Sequence, residues 1–245
     1  MSEHIPSFSG ELKPYSHGYN LYETTGAPKS IVRIRNVDSL IDMLSDHERA
    51  WTNALGVSAL EHQDAETRVE TVGKLIGAYE HELGELENWG ITAAKHQYWV
   101  DHIKGQDVAV CAADMISGKH IGRAFDRDGD ELDFDKLPAS VWRSYGQMMS
   151  NVVSYYEDVL KKEKFFIFDL ADPRQWVYSE SDRRIYLVDL DPTMGYHSPK
   201  LPSDELDLDV GARLITRVTE LVAMDYMPFK DKARTQKIID GLGNR

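Results

Sequence analysis

One cysteine, Cys111, stands among 245 residues, so neither an intramolecular disulfide nor a zinc site built from cysteines is available to this chain. No run of about 18 apolar residues occurs anywhere, which excludes an ordinary membrane-spanning helix. The opening Met-Ser-Glu-His-Ile-Pro lacks the basic and apolar regions of a secretion signal, and cytoplasmic residence is the expectation. Positive charge is short as well: 28 basic against 41 acidic side chains leave a formal charge of −13. Such a field repels phosphate backbones and anionic bilayers, so neither nucleic acid nor a membrane is an expected partner. There is no Gly-x-Ser-x-Gly elbow for a serine hydrolase and no closely spaced histidine pair for a zinc helix. His96, His102, His120 and His197 therefore read as surface or packing residues. No internal repeat is present, which removes solenoid architectures.

What is there suits a globular α+β domain: 42% hydrophobic residues are enough for a core, and 28% charged residues are ordinary. The first fourteen residues, with Pro6, Gly10 and Pro14, read as an extended arm. Two β-rich runs, 19–23 and 30–35, flank a turn-containing link and predict a hairpin. Alternation in Ile31-Val-Arg-Ile-Arg35 puts Arg33 and Arg35 on one face of the second strand. Three- and four-residue spacing then predicts a helix over 37–55 with Asp38 as a candidate N-cap, and a longer one from about 64 to 89. The stripe of the longer helix is Val69, Val72, Ile76, Tyr79, Leu83 and Leu86, and its three glycines call for tertiary support.

After Gly90 strands return, 92–101 and 107–114, the second apolar enough to be central and carrying Cys111 as a buried thiol. The acidic run 126–135 lacks the sixth-position glycine and twelfth-position glutamate of a calcium loop, and reads as a solvated loop. A helix over 139–164, strands at 165–168 and 185–188 with a short one at 176–178, and helices over 209–226 and 230–242 complete the pattern. Trp176, Tyr178 and Tyr186 are expected to pack beneath the intervening loop.

Two stretches carry chemistry. In Phe166-Ile-Phe-Asp169-Leu-Ala-Asp172-Pro-Arg-Gln175-Trp-Val-Tyr178 an aspartate is followed by a second polar group and a hydrophobic strand. In Ile185-Tyr-Leu-Val-Asp189-Leu-Asp191-Pro192 a strand ends in two carboxylates, and Asp189 falls twenty residues after Asp169. Phosphoryl transfer needs acidic groups brought together from neighbouring loops at strand ends. These stretches resemble the catalytic loop and the metal-holding strand end of the protein-kinase-like and small-molecule phosphotransferase (aminoglycoside-phosphotransferase-like) superfamily. The element order is similar too: a hairpin, an inserted helix, two strands, a long helix, then an aspartate-rich strand-loop-strand.

The resemblance implies a two-lobed fold, with a small β-rich lobe over 1–114 and a mainly helical lobe over 115–245. It implies a protein that binds ATP with Mg²⁺ and passes a phosphate to a hydroxyl of a protein or small molecule. Asp169 would be the catalytic-loop carboxylate, with Asp189 and Asp191 as metal ligands and Gln175 near the family's asparagine, also toward the metal. Arg33, or Arg35, would take the place of the strand lysine that grips phosphates, paired with Glu82 or Glu85. The segment 112–119, with Ala113 and Met115, would be the hinge that meets the adenine.

Four features depart from the family pattern. No Gly-x-Gly-x-x-Gly covers phosphates, and an arginine stands for the lysine. The family's spacing places Arg174 rather than Gln175 at the asparagine, and Ile-Phe precede Asp169 where His-Arg or His-Gly is usual. A noncatalytic, pseudokinase-type binding or scaffolding module is therefore the competing expectation. An unrelated α+β fold is the third, and one continuous sheet through the central strands would establish it.

Overall fold

The computed structural model describes residues 12–14, 21–24, 29–45, 48–60, 62–126, 131–162, 168–190, 205–227 and 231–243. The chain is an α+β protein with two antiparallel sheets. Five strands form the first: β1 (Leu12–Pro14), β2 (Leu21–Thr24), β3 (Ser30–Asn36), β4 (His96–Ile103) and β5 (Gln106–Asp114), in the order β1-β2-β3-β5-β4. Three form the second, in sequence order: β6 (Gly118–His120), β7 (Trp176–Ser179) and β8 (Arg184–Leu187). The described strands thus lie in two sheets rather than in a continuous one.

The predicted hairpin is β2–β3, and part of the predicted N-terminal arm is edge strand β1. The predicted central strand is β5, flanked by β3 and β4. Period-two alternation divides the first sheet's faces. Val32, Val108 and Val110 form a small apolar cluster on one face, while Ala109, Cys111 and Ala113 join the main core on the other.

Six helices complete the described chain. Where one helix was expected over 37–55 there are two, α1 (Val37–Ser45) and α2 (Glu48–Leu55). The Asn36 side chain, not that of Asp38, caps α1 by accepting from the Ser39 amide. Asp38 is drawn instead to Arg68 at 2.7 Å, on α3 (Ala65–Glu87). Asp64 caps α3 through the Thr67 amide, which holds the Asp64 carboxyl below its ordinary range. The stripe of α3 is buried from Val72 to Leu86 and its three glycines face outward, so packing of this face supports the helix. Val69 is only partly buried.

α4 (Ala139–Lys162) runs through the middle of the core, with Trp142, Tyr145, Val152 and Tyr155 fully buried. Of the acidic run, 127–130 lies outside the described residues, and the Asp126 amide bonds Glu131 to close its base. The expected strand at 165–168 also falls mostly outside them, and Phe168 is irregular. α5 (Glu205–Ala223) and α6 (Lys232–Gly243) pack on α4. Asp231, 1% exposed at the head of α6, accepts from Ser150 of α4 at 2.9 Å and from Arg234 at 3.0 Å. Arg234 in turn bridges to Glu157 of α4 at 2.6 Å, and this bond holds the Glu157 carboxyl below its ordinary range.

The sheets are joined directly. Thr92 and Ala94, expected to begin β4, exchange backbone hydrogen bonds with Leu187 of β8 at 2.9 Å each. β4 accordingly starts only at His96. Among the described residues no helix is long and apolar enough to cross a membrane.

Candidate functional site

The alternation that hides Val32 turns Ile31 and Arg33 toward the second sheet. In register, Arg33 faces Cys111 and Ile31 faces Ala113. The chain leaves β5 through 114–117, its Met115 amide donating to the Lys29 carbonyl at 3.0 Å, and enters β6. Between the sheets lies a cleft of about 180 Å³ lined by Ile31, Arg33, Ala113, Asp114, Met115, Ile116, His120, Val177, Val188 and Asp189. Four residues singled out from sequence, Arg33, Ala113, Met115 and Asp189, meet here from both sheets. Arg33 Nη2 lies 3.3 Å from Asp189 Oδ1.

Asp189 owes its place to the next residue. The buried Leu190 turns its carbonyl into the first sheet, where it accepts from the Tyr98 hydroxyl and, at 3.7 Å, from the Cys111 thiol. The segment after β8 is thereby tied under β4 and β5, and Asp189 comes to rest beside Arg33.

The loop before β7 is held as firmly. The Tyr156 hydroxyl, from α4, donates to the Phe168 carbonyl and accepts from the Leu170 amide. Trp176 Nε1 donates to the Leu170 carbonyl at 3.1 Å. Asp169 is an ion-pair partner of Arg213 on α5, Oδ2 to Nη2 2.7 Å, and it does not line the cleft. Asp172, 5% exposed, caps the short 3-10 turn Pro173–Gln175 through the Arg174 amide. Its carboxylate also takes two bonds from Arg174, Nε at 3.0 Å and Nη2 at 2.6 Å, with Arg213 Nη1 3.9 Å away. Burial pushes the Asp172 carboxyl up, but the Arg174 hydrogen bonds and the two guanidinium charges outweigh it, leaving the group below its ordinary range. Arg174 is raised by Asp172 first, and the charges of Asp169 and Asp189 add to this.

Other residues named from sequence sit elsewhere. Glu82, buried on α3, accepts from the Tyr155 hydroxyl at 3.2 Å, and Glu85 accepts from Asn88 at 3.3 Å; neither lines the cleft. Arg35, two residues beyond Arg33, is not on its wall either. Gln175 is buried, and its backbone carbonyl accepts from the Val188 amide at 2.8 Å. Asp191 and His197 lie outside the described residues. Of the expected aromatic cluster, Trp176 and Tyr178 are buried, while Tyr186 turns outward to Asp182.

Three further residues take part for which the sequence had suggested no such role. His120 lines the cleft, and burial, then the Arg123 charge, hold its imidazole below the ordinary histidine range. Arg174 and Arg213 are the others. A signal for Arg213 was present: it shares a face of α5 with Arg217, Leu214, Val218 and Leu221. An arginine in such a stripe needs an acidic partner from another element.

Of the carboxylates expected to hold a metal, Asp191 lies outside the described residues and Asp189 is beside Arg33. Among the described residues no group of three or more His, Cys, Asp or Glu side chains is placed to hold a metal ion. Asp189, Asp169 and Asp172 each have a guanidinium nitrogen within 3.3 Å, so a cation would have to break an ion pair to reach them. A larger groove of about 580 Å³ runs between α3 and 93–97; it shares Asp114 with the cleft but contains none of Arg33, Asp169, Asp172, Arg174, Asp189 and Arg213.

Compared with known proteins, the chain matches no family model and no curated protein.

Proposed function

We propose that the chain is a kinase-like domain, a β-rich lobe over 1–114 and a mainly helical lobe over 115–245, that binds a purine nucleotide in the cleft between its sheets. The observation that carries this reading is the meeting of Arg33 and Asp189 at 3.3 Å, beside the backbone of 113–116. The base would lie against the apolar wall that Ala113, Met115 and Val177 form. The phosphates would point to Arg33, since a guanidinium matches phosphate geometry.

The enzymatic form of the reading is transfer of a phosphate to a hydroxyl of a protein or small molecule, with Asp169 as the carboxylate near the acceptor. Catalysis of this kind rests on positioning and charge neutralisation. A second reading, a noncatalytic pseudokinase-type module, is favoured by the Arg213–Asp169 ion pair at 2.7 Å, which occupies the group that would receive the acceptor proton.

Thermal unfolding with ATP tests the cleft. Ligand at ten times its Kd adds about 1.4 kcal/mol, a rise of about 3–6 °C for a chain of this size. No rise at millimolar ATP or adenosine would remove the nucleotide reading. Transfer of labelled γ-phosphate to a hydroxyl-bearing acceptor, lost in Asp169→Asn with ATP binding kept, would support the enzyme over the binding module. Transfer that survives this substitution would take the catalytic role away from Asp169.

A further inference from the structure

The two edges of the first sheet are built differently. β1, at one edge, is three residues long and ends in Pro14, which has no amide to offer a further strand. β4, at the other, runs for eight residues without proline or lysine, and among the described strands it pairs with β5 alone. An edge of that kind is a template for one more strand.

The ladder shows which groups the edge offers. The Asp114 amide donates to the Lys95 carbonyl at 2.8 Å, so Lys95 directs its backbone inward to β5, and the antiparallel alternation turns the amide and carbonyl of His96 and Val100 outward. One step earlier the same edge takes a strand end, where Thr92 and Ala94 bond Leu187 of β8. That ladder stops at the Ala94 carbonyl, which accepts from the His96 imidazole Nδ1 at 2.8 Å. Beyond it His96 and Gln97 line the groove of about 580 Å³, a volume that binding clefts commonly have.

The opposite wall of this groove is one face of α3, with Glu80, Leu83, Gly84 and Glu87 at three- and four-residue spacing. Gly84 keeps that wall low, since a Cβ there would meet nothing within 4 Å. Glu80 and Glu87 are exposed, and among the described residues no basic side chain pairs with either. Asp114 adds a third carboxylate to the lining, against Lys95 as its one ammonium. A second copy of this chain would bring its own formal charge of −13 to that acidic wall, so charge selects against self-pairing and for a basic partner.

We propose that this groove docks an extended basic segment of a partner protein, which adds a strand to the β4 edge over 96–100 and sets lysine or arginine side chains against Glu80 and Glu87. Main-chain bonds give such a complex its affinity and the carboxylates give it selectivity. Alternate positions of a strand share one side, so a segment with a basic residue at every second position fits. The groove shares only Asp114 with the cleft between the sheets, and the inference stands or falls independently of nucleotide binding.

Fluorescence polarisation of a labelled nonapeptide of alternating lysine and threonine, titrated with the full chain, tests it. The double variant Glu80→Gln, Glu87→Gln should weaken binding at least about fivefold. The double variant Glu66→Gln, Glu70→Gln, on α3 outside the groove, should change it by less than about twofold. All four side chains are exposed, and an unchanged Tm checks each fold. A peptide N-methylated at every residue keeps its charge but loses its main-chain donors, and should bind at least about tenfold more weakly. Equal weakening by the two double variants, or full affinity of the methylated peptide, would show attraction to the general field of the chain and overturn the inference. No binding at millimolar peptide would overturn it as well, whether the chain sediments as a monomer or as a dimer whose own β4 edges are paired.

Discussion

Arg213→Met is expected to destabilise the fold by about 3 kcal/mol, lowering Tm by about 6–12 °C. The side chains of Arg213 and Asp169 are 20% and 16% exposed, so the pair is largely removed from water. Methionine keeps the stem's volume and deletes the charge, leaving the Asp169 carboxylate without its 2.7 Å partner and Asp172 with Arg174 alone. The loss belongs mainly to a carboxylate kept from water without this bond, so adding Asp169→Asn should return about half of it. A double-mutant cycle should give a coupling of at least about 1.5 kcal/mol. A single-variant effect below about 0.5 kcal/mol would show that the pair does not hold the loop. Asp169 would then be available for chemistry.

The same cluster sets a pH dependence. Asp172 has a folded-state pKa below its unfolded value, so its contribution is present at neutral pH and is lost as pH falls through the lowered value. The window opens below the ordinary aspartate value of about 3.9. In Arg213→Met one of the two charges lowering Asp172 is gone, and acid unfolding should begin at higher pH. An unchanged acid midpoint would contradict this account.

Gly146→Ala should have an effect of similar size for a different reason. Gly146 lies on α4 against the turn that follows α5. A Cβ there would fall 2.2 Å from the Tyr226 carbonyl oxygen and 2.7 Å from its carbon, both backbone atoms. The turn has little room to retreat, since the Tyr226 amide is bonded to Leu221 and its ring packs on Phe134 at 5.7 Å. Relief must come from moving α5 away from α4, at a cost of about 3 kcal/mol. Thermal unfolding checks it, and a loss below about 1 kcal/mol would show that the turn yields. α5 carries Arg213, so the same variant should weaken the grip on Asp169.

The elements were legible where local pattern decides them. Alternation marked β3, an apolar run marked β5, and three- and four-residue spacing marked α3 and α4 close to their observed limits. Arg33, Ala113, Met115 and Asp189, placed by likeness of motif, do line one cleft. What was not legible depends on partners distant in the chain. Asp38 looked like a cap but is taken by Arg68, thirty residues away, and Asn36 does the capping. β4 begins late because Thr92 and Ala94 serve the other sheet through Leu187. Asp169 looked like a free carboxylate because nothing near it in sequence announces Arg213, forty-four residues on. Arg174 was visible as a departure from the family's asparagine, but its bond to the buried Asp172 required the 3-10 turn that folds the two together.

The Leu190 carbonyl, gripped by Tyr98 and Cys111, has a practical consequence. The sole thiol of the chain is 7% exposed and sits behind the Arg33–Asp189 contact, tied to the backbone atom that sets that contact. An alkylating reagent can reach it only as the two sheets breathe apart. With a thiol-selective reagent the label goes to this one position, and the labelling rate becomes a clock for opening of the cleft that needs no engineered probe.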